Sequence, residues 1–261
     1  MAEKRTILVT NDDGITSNGI AALVEVASEF GEVVVVAPNS AQSGVGHAIT
    51  MRRPLRLRPV KQFGKVAAYS CDGTPVDCVK LAVDKVLLHH KPVLCVSGIN
   101  HGSNASINVI YSGTMSAAME AAIEGINSVG FSSLNYKHNA DMDTAQLVAR
   151  KVIKNVLQNG LPKHQLLNVN IPNVKPEHLA GIKVCKQAKG LWKEEFEERN
   201  DPFNRPYYWL TGKFVCEDKD RNTDIWALNH NYASIVPVQF DLTEYEGIKF
   251  INENWNIDVK S

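Results

Sequence analysis

The chain lacks an excess of either charge, since its 261 residues carry 28 lysines and arginines against 28 aspartates and glutamates. A protein that binds a nucleic-acid polymer usually presents a basic surface to the phosphates. This balance gives no electrostatic reason to expect such a partner, and we expect none. A small anionic ligand held at one local site stays compatible with it.

Long hydrophobic runs are also missing. The N-terminal stretch MAEKRTILVTNDDG carries charges and only a short apolar segment, unlike a signal peptide. No other stretch approaches the roughly 20 apolar residues that a membrane helix needs. We therefore expect a cytoplasmic protein with no membrane partner.

Cysteine is scarce in this sequence. The five cysteines are Cys71, Cys78, Cys95, Cys185 and Cys216. None forms a CxxC pair, and a structural zinc site would need closer ligand spacing. This usage favours buried, free thiols in a reducing compartment.

Several common phosphate-binding motifs are absent. The chain has no GxxxxGK[ST] loop and no GxGxxG turn, and the first predicted strand is not followed by two aspartates separated by one residue. The missing glycine turn disfavours a dinucleotide-dependent oxidoreductase.

The sequence does contain an alternation of short apolar runs and amphipathic segments. The predicted strands are 6–10, 32–38, 92–98, 128–133 and 166–171, with short extended pieces near 54–58 and 66–71. The predicted helices are 17–30, one after Thr74, one after Ser112 and 143–157. Strands that are apolar on both sides suit a parallel sheet covered by helices on both faces. We predict a doubly wound, Rossmann-like, mostly parallel α/β sheet.

The pattern changes after residue 180. The stretch 190–227 is polar, aromatic and interrupted by prolines, which indicates extended hairpins or arms. A further strand at 232–242 and a terminal helix follow. We divide the chain into a Rossmann-like α/β core, 1–180, and a C-terminal part, 181–261, with an arm, a strand and a tail that return to the core.

Two adjacent carboxylates, Asp12 and Asp13, follow the first predicted strand. In a doubly wound sheet, ligands bind at this carboxyl edge of the strands. Neighbouring carboxylates there can hold a hard divalent cation. The sequence NDDG suits a simple polar turn between strand and helix equally well. These residues alone favour neither the metal site nor the turn.

Two further loops are expected at the same edge. The loop 98–114 offers amide and hydroxyl side chains, several glycines and a helix that begins after Ser112. A helix N-terminus binds phosphate readily, although Ser112 also fits a simple helix cap. The loop after strand 32–38 carries Ser43 and His47, and by itself it is a weak signal.

Five segments resemble those of the SurE family, the stationary-phase survival proteins. They are ILVTNDDGITSNGI, VVVVAPNSAQSGVGHAIT, DGTPVDCVKLA, VSGINHGSNASINVIYSGTMSAAMEA and TDIWALNHNYASIVPVQFDLT. The resemblance implies a divalent-metal-dependent 5′-nucleotidase that hydrolyses nucleoside 5′-monophosphates with a metal-activated water. Some relatives also act on 3′-nucleotides or short polyphosphate. His101 stands where many members carry arginine, and we assign it no catalytic role.

The resemblance also implies the site residues and the assembly. The ligands of one Mg²⁺ or Mn²⁺ per subunit would be Asp12, Asp13, Ser43 and Asn100. The phosphate contacts would be Asn104, Ser112, Gly113 and Thr114. Asp12 and Asp13 would be the catalytic residues, with Asp12 the better candidate to orient or deprotonate the water. Arms within 190–227 would join subunits into a homodimer or homotetramer.

One alternative of a different class stays open. A metal–nucleotide binding or sensor protein without catalytic activity would need the same metal and phosphate contacts. Only the enzyme would release inorganic phosphate from a nucleoside monophosphate.

Overall fold

A nine-stranded sheet forms the centre of the structure, a computed structural model that describes residues 5–88, 90–137 and 139–257. The strands in the described residues are β1 (Thr6–Thr10), β2 (Glu32–Pro38), β3 (Leu57–Val60), β4 (Ala67–Cys71), β5 (Leu94–His101), β6 (Ser128–Ser133), β7 (Gln165–Ile171), β8 (Gly181–Val184), β9 (Gly190–Asn200), β10 (Pro206–Cys216) and β11 (Tyr232–Gln239). The helices are α1 (Asn18–Ser28), α2 (Pro75–Leu81), α3 (Gly113–Ile123), α4 (Asp143–Asn159), α5 (Asp224–Asn229) and α6 (Tyr245–Asn254). A π-helical turn, Ala82–Val86, continues α2.

The central strands of this sheet are parallel. The strand order is β3-β4-β2-β1-β5-β6-β7-β11-β8, and the strands from β4 to β7 in this order all run the same way. The edge strand β3 is antiparallel to β4, and β11 is antiparallel to β7. The predicted doubly wound, mostly parallel sheet is confirmed.

Helices cover both faces of the sheet with apolar side chains. On one face, α1 and α4 bury Leu23 and Val148 against strand residues such as Ile7 and Val129. On the other face, α2 and α3 bury Val79 and Ala121 against Leu8 and its neighbours. This two-sided burial explains why the central strands are apolar throughout rather than alternating.

The helix starts follow the predicted capping chemistry. Thr74 and Asp77 form a reciprocal capping box at α2, in which Thr74 Oγ1 accepts from the Asp77 N–H at 3.1 Å. The Thr74 N–H donates in return to Asp77 Oδ2 at 2.9 Å. Pro75 occupies the first turn, where its missing N–H costs nothing.

Two glycines allow the close approaches that shape the end of β5. A Cβ on Gly19 of α1 would lie 1.9 Å from the carbonyl oxygen of Ile99. A Cβ on Gly98 would lie 2.3 Å from the carbonyl oxygen of Phe131, and its φ of +129° also favours glycine. Helix α1 and strand β6 therefore hold the backbone directly before Asn100 from two sides.

Strand β5 differs from its prediction. The sequence indicated 92–98, whereas β5 runs from Leu94 to His101. After an irregularity in register, Asn100 pairs with Ser132 and His101 pairs with Ser133 on β6. The glycine at 98 suggested the end of the strand, but the pairing resumes beyond it.

The C-terminal part is divided between the sheet and a separate hairpin. Strands β8 and β11 extend the main sheet, and β9 and β10 pair as an antiparallel ribbon of 11 residues on each strand. The predicted hairpin in 190–227 and the strand near 232–242 are thus confirmed, and α6 supplies the helix near the terminus. The domain boundary at residue 180 stays a prediction, as does any structure for 258–261, which lies outside the described residues.

The structure also bears on the burial of the cysteines and on the presence of a membrane-spanning helix. Four of the free cysteines are buried and Cys216 is partly exposed. Among the described helices, none combines the length and the apolar character needed to span a bilayer.

Candidate active site

The three predicted loops meet at one edge of the sheet. Strand β1 lies between β2 and β5, so the residues after β1, after β2 and at the end of β5 are neighbours. They border a cavity of about 330 Å³. Its lining residues are Asp12, Asp13, Ser43, Gly44, Asn100, His101, Gly102, Ser103, Asn104, Asn108, Tyr111, Ser112, Tyr136 and Trp192. The four residues that the resemblance implies as metal ligands are all among them.

Asp12 lies at the base of this cavity and is only 6% exposed. The Thr114 hydroxyl donates a hydrogen bond to its Oδ1. Burial raises the pKa of Asp12 to about 6; the hydrogen bond from Thr114 opposes this rise, and the charge of Asp13 adds to it. The structure thus holds a carboxyl group where removal from water makes its negative charge costly.

Asp13 and Asn100 are held by backbone groups of the β5 end. The His101 N–H donates to Asp13 Oδ2 at 3.1 Å. The side-chain amide of Asn100 donates from Nδ2 to the Gly102 carbonyl at 2.8 Å. With its nitrogen committed in this way, Asn100 has its Oδ1 to offer as an oxygen ligand.

Ser43 belongs to a loop that is tied to Asp12. The Gln42 N–H donates to the Asp12 carbonyl oxygen at 2.8 Å, which brings the next residue, Ser43, to the mouth of the cavity. Farther along the loop, His47 Nε2 lies 2.8 Å from Oε2 of Glu120 on α3. Glu120 also pairs with Lys80 of α2. The loop is therefore anchored on both sides of Ser43.

The N-terminus of α3 packs directly against Asp12. A Cβ on Gly113 would lie 2.8 Å from the Asp12 Cβ, so only glycine allows this approach without displacement. Ser112 caps the helix, since its Oγ accepts from the Met115 N–H at 3.0 Å. Ser112 also lines the cavity, whereas Thr114 is fully buried behind Asp12.

Asn104 is held by a network of buried amides that no sequence pattern predicts. Its N–H donates to Asn170 Oδ1 and its Nδ2 donates to Ser132 Oγ, both at 2.8 Å. Asn168 Nδ2 donates to the Asn104 carbonyl at 2.8 Å. The ends of β6 and β7 thereby set the conformation of the loop that follows β5.

The charges around the cavity favour a bound cation. The described residues that line it include two carboxylates and neither a lysine nor an arginine. A phosphate group entering this space would meet two carboxylates and, among the described lining residues, no lysine or arginine. Two carboxylates, a hydroxyl and an amide oxygen form an all-oxygen donor set that fits Mg²⁺ or Mn²⁺. Within the described residues, no three His, Cys, Asp or Glu side chains form a group that could hold a metal ion, so a cation here would also depend on the hydroxyl and the amide oxygen.

Three aromatic residues at the cavity were missed by the sequence analysis. Tyr136 follows the carboxyl end of β6, a position that could have marked it. Tyr111 lies in the loop 98–114, among the hydroxyl and amide side chains that were predicted to bind there. Trp192 reaches the cavity from β9, and its Nε1 donates to Asn108 Oδ1 at 2.7 Å. No local sequence signal brings β9 to this edge.

The family model described as Survival protein SurE matches residues 7–194, which include every residue of this cavity. The chain belongs to the SurE family. The family resemblance inferred from the five segments is therefore confirmed.

Relatives of SurE type match along nearly the whole chain. A protein of Flavobacterium psychrophilum named 5′-nucleotidase SurE is 56% identical over 256 residues, 98% of this chain and 99% of the relative. One of Christiangramia forsetii with the same name is 57% identical over 258 residues, 98% of each chain. The crystal structure of the SurE protein from Aquifex aeolicus superposes with a TM-score of 0.83 at 41% identity, covering 95% of this chain and 98% of that one.

Proposed function

We propose that this SurE-family chain is a 5′-nucleotidase, a phosphoric monoester hydrolase that converts nucleoside 5′-monophosphates to nucleoside and inorganic phosphate. One observation carries the proposal: relatives named 5′-nucleotidase SurE share more than half of their residues with this chain over 98% of its length. The cavity at the sheet edge, with its paired carboxylates, supports it with chemistry that suits metal-assisted hydrolysis.

We further propose that one Mg²⁺ or Mn²⁺ per subunit is held by Asp12, Asp13, Ser43 and Asn100. All four border one cavity, and each offers an oxygen. A divalent cation at such a site would neutralise phosphate charge and lower the pKa of a coordinated water. The contacts from Thr114 to Asp12 and from the His101 N–H to Asp13 would keep both carboxylates oriented.

The reaction proposed is direct attack of water on phosphorus. The new bond joins the water oxygen to phosphorus, the ester P–O bond breaks, and the 5′ oxygen leaves with a proton. Asp12 is assigned the orientation of the attacking water, because it is the more buried carboxylate and its position is fixed by Thr114. Asp13 is assigned to the cation.

The phosphate is proposed to lie between the start of α3 and the loop after β5. Ser112 and Asn104 border the cavity, and Gly113 brings the first turn of α3 against Asp12. Free N–H groups at a helix start stabilise an anion without any basic side chain. Thr114 was predicted as a direct phosphate contact; because its side chain is fully buried and hydrogen-bonded to Asp12, we propose instead that it acts on the phosphate through Asp12.

Phosphate release separates this enzyme from the sensor alternative. Purified protein is incubated with AMP or GMP, and inorganic phosphate is measured without added metal, with EDTA, and with Mg²⁺ or Mn²⁺ restored after EDTA. The proposal expects release that EDTA abolishes and the cation restores. AMP that binds in the presence of the cation without any phosphate release would instead favour the sensor class.

Self-association through the C-terminal part is also proposed, as a homodimer or homotetramer. The β9–β10 hairpin exposes large apolar side chains, among them Phe196, Tyr208 and Trp209, and α6 has no buried residue. Exposed apolar surface of this extent commonly marks a protein interface. Sedimentation velocity of the full chain and of Phe196→Glu tests it: the variant is expected to shift toward monomer, and a monomeric wild type would contradict the proposal.

A further inference from the structure

A second cavity continues from the candidate active site toward the hairpin. Its volume is about 510 Å³. It is lined by Gly44, Tyr111, Trp192, Glu194, Leu210, Thr211 and Gly212. Gly44, Tyr111 and Trp192 also line the first cavity, so the two spaces meet at these residues. A ligand whose phosphate lies near Asp12 and Asp13 would extend its other end into this space.

The junction presents two aromatic rings that are partly open to solvent. Tyr111 is 48% exposed and Trp192 is 42% exposed. Trp192 is held in place on two sides: its Nε1 donates to Asn108 Oδ1 at 2.7 Å, and its ring meets Phe214 edge-on with centroids 5.9 Å apart. Because the indole N–H is already used, the ring can offer a fixed apolar face to a ligand.

The charge of the second cavity restricts what that ligand can be. Its described lining includes the Glu194 carboxylate and no lysine or arginine. A second phosphate would be repelled there, whereas an uncharged planar ring with polar edges would not. Aromatic side chains stack on the faces of nucleobases irrespective of their sequence. The hairpin forms one wall of this cavity, since β9 contributes Trp192 and Glu194 and β10 contributes the segment 210–212.

We propose that this second cavity is the nucleobase subsite, with the base resting on Trp192 beside Tyr111. The inference rests on the proposed nucleotidase function and deepens it, because it makes β9 a substrate-binding element. It predicts that nucleoside monophosphates are preferred over base-free phosphate esters. It also predicts weak binding of any ligand that would have to place a second phosphate in this cavity, because the Glu194 carboxylate carries the same charge.

The test compares AMP with ribose 5-phosphate, which keeps the ester and the sugar but lacks the base. We expect Trp192→Ala to lower the ratio of kcat/KM for AMP to that for ribose 5-phosphate by about tenfold, mainly through KM for AMP. Trp192→Phe keeps a ring face and loses the bond to Asn108, and it should restore most of the ratio. Trp255→Ala is the control, since it removes an exposed indole outside the hairpin that lines neither cavity.

Two results would overturn the subsite. One is a Trp192→Ala variant that loses activity equally on both substrates, which would mean that Trp192 only shapes the site through Asn108. The other is an unchanged ratio. Adenosine binding by isothermal titration calorimetry needs no turnover, and there we expect at least fivefold weaker binding in Trp192→Ala. If the wild type released no phosphate, the proposed function would be wrong. If wild type and Trp192→Ala bound adenosine with the same affinity, only the nucleobase subsite would be wrong.

Discussion

The hydroxyl of Thr114 donates a hydrogen bond to Oδ1 of Asp12, and this contact joins the first turn of α3 to the carboxylate after β1. Both side chains are buried. A carboxylate in such a place needs a donor to fix its orientation and to offset the loss of water. The contact therefore links the helix that would hold phosphate to the residue that would direct the attacking water.

Replacing Thr114 by valine removes the hydroxyl and preserves the shape of the side chain. A hydrogen bond to a charged group contributes about 1.5–3 kcal/mol, so we expect kcat/KM for AMP to fall by about ten- to a hundredfold. Thr114→Ser keeps the donor and should retain most activity. Full activity in Thr114→Val would show that Asp12 does not depend on this contact.

Adding one methyl group to Gly113 should disturb the same contact from the helix side. The new Cβ would lie 2.8 Å from the Asp12 Cβ. Overpacking of a filled site costs about 1–3 kcal/mol, and we expect Gly113→Ala to lower kcat/KM by about tenfold.

A control separates this collision from a general effect of replacing glycine. At Gly64 a Cβ meets no atom within 4 Å, although the φ of +62° makes alanine strained there. Gly64→Ala should reduce the melting temperature slightly and leave kcat/KM near the wild-type value. Equal losses of kcat/KM in both variants would argue against a specific role for the approach at Gly113.

The Glu120 pair with His47 and Lys80 should make stability depend on pH. His47, and then Lys80, hold the pKa of Glu120 below its ordinary value of 4.5. Its contribution is therefore complete above about pH 4.5 and is lost as pH falls through the lower, folded-state pKa. We expect Glu120→Gln to cost about 1–3 kcal/mol of unfolding free energy near pH 7, and less as the pH drops below 4.5.

Urea denaturation at several pH values measures this difference. Glu246→Gln is a suitable control, because Glu246 forms an exposed ion pair with Lys249 on α6. Exposed pairs contribute about 0–1 kcal/mol, so this variant should stay near the wild type throughout. A stability gap for Glu120→Gln that widens toward acid pH would contradict the assignment.

Ser43 is expected to be the weakest of the four proposed cation ligands. It is exposed and offers a neutral hydroxyl, whereas Asp12 and Asp13 offer charge. We expect Ser43→Ala to raise the Mg²⁺ concentration that gives half-maximal activity by roughly two- to tenfold, with kcat at saturating Mg²⁺ little changed. An unchanged Mg²⁺ requirement would remove Ser43 from the coordination set.

The sheet and the location of the site could be predicted because both follow from local patterns. Apolar runs indicate the parallel strands. Thr74 and Ser112 mark helix starts because each side chain accepts a hydrogen bond from a backbone N–H in the first turn of its own helix. The carboxyl ends of those strands then bring Asp12, Ser43 and Asn100 to one edge without any further information.

Contacts between distant segments could not be predicted in this way. Trp192 reaches Asn108 across 84 positions of sequence, and His47 reaches Glu120 across 73. Neither side chain lies in a pattern whose period or spacing indicates its partner. The resemblance to SurE proteins supplied Ser43 as a ligand candidate, which the residues alone left weak, and its role stays a prediction.

A Mn²⁺ titration of phosphate release from AMP, by the wild type and by Asp13→Asn, tests most directly whether the paired carboxylates hold a catalytic cation. The change removes one negative charge and keeps the size of the side chain. We expect wild-type activity to need the cation, and Asp13→Asn to lose about a hundredfold or more of kcat/KM and to need more Mn²⁺. Full activity of Asp13→Asn at the wild-type Mn²⁺ requirement would contradict this expectation.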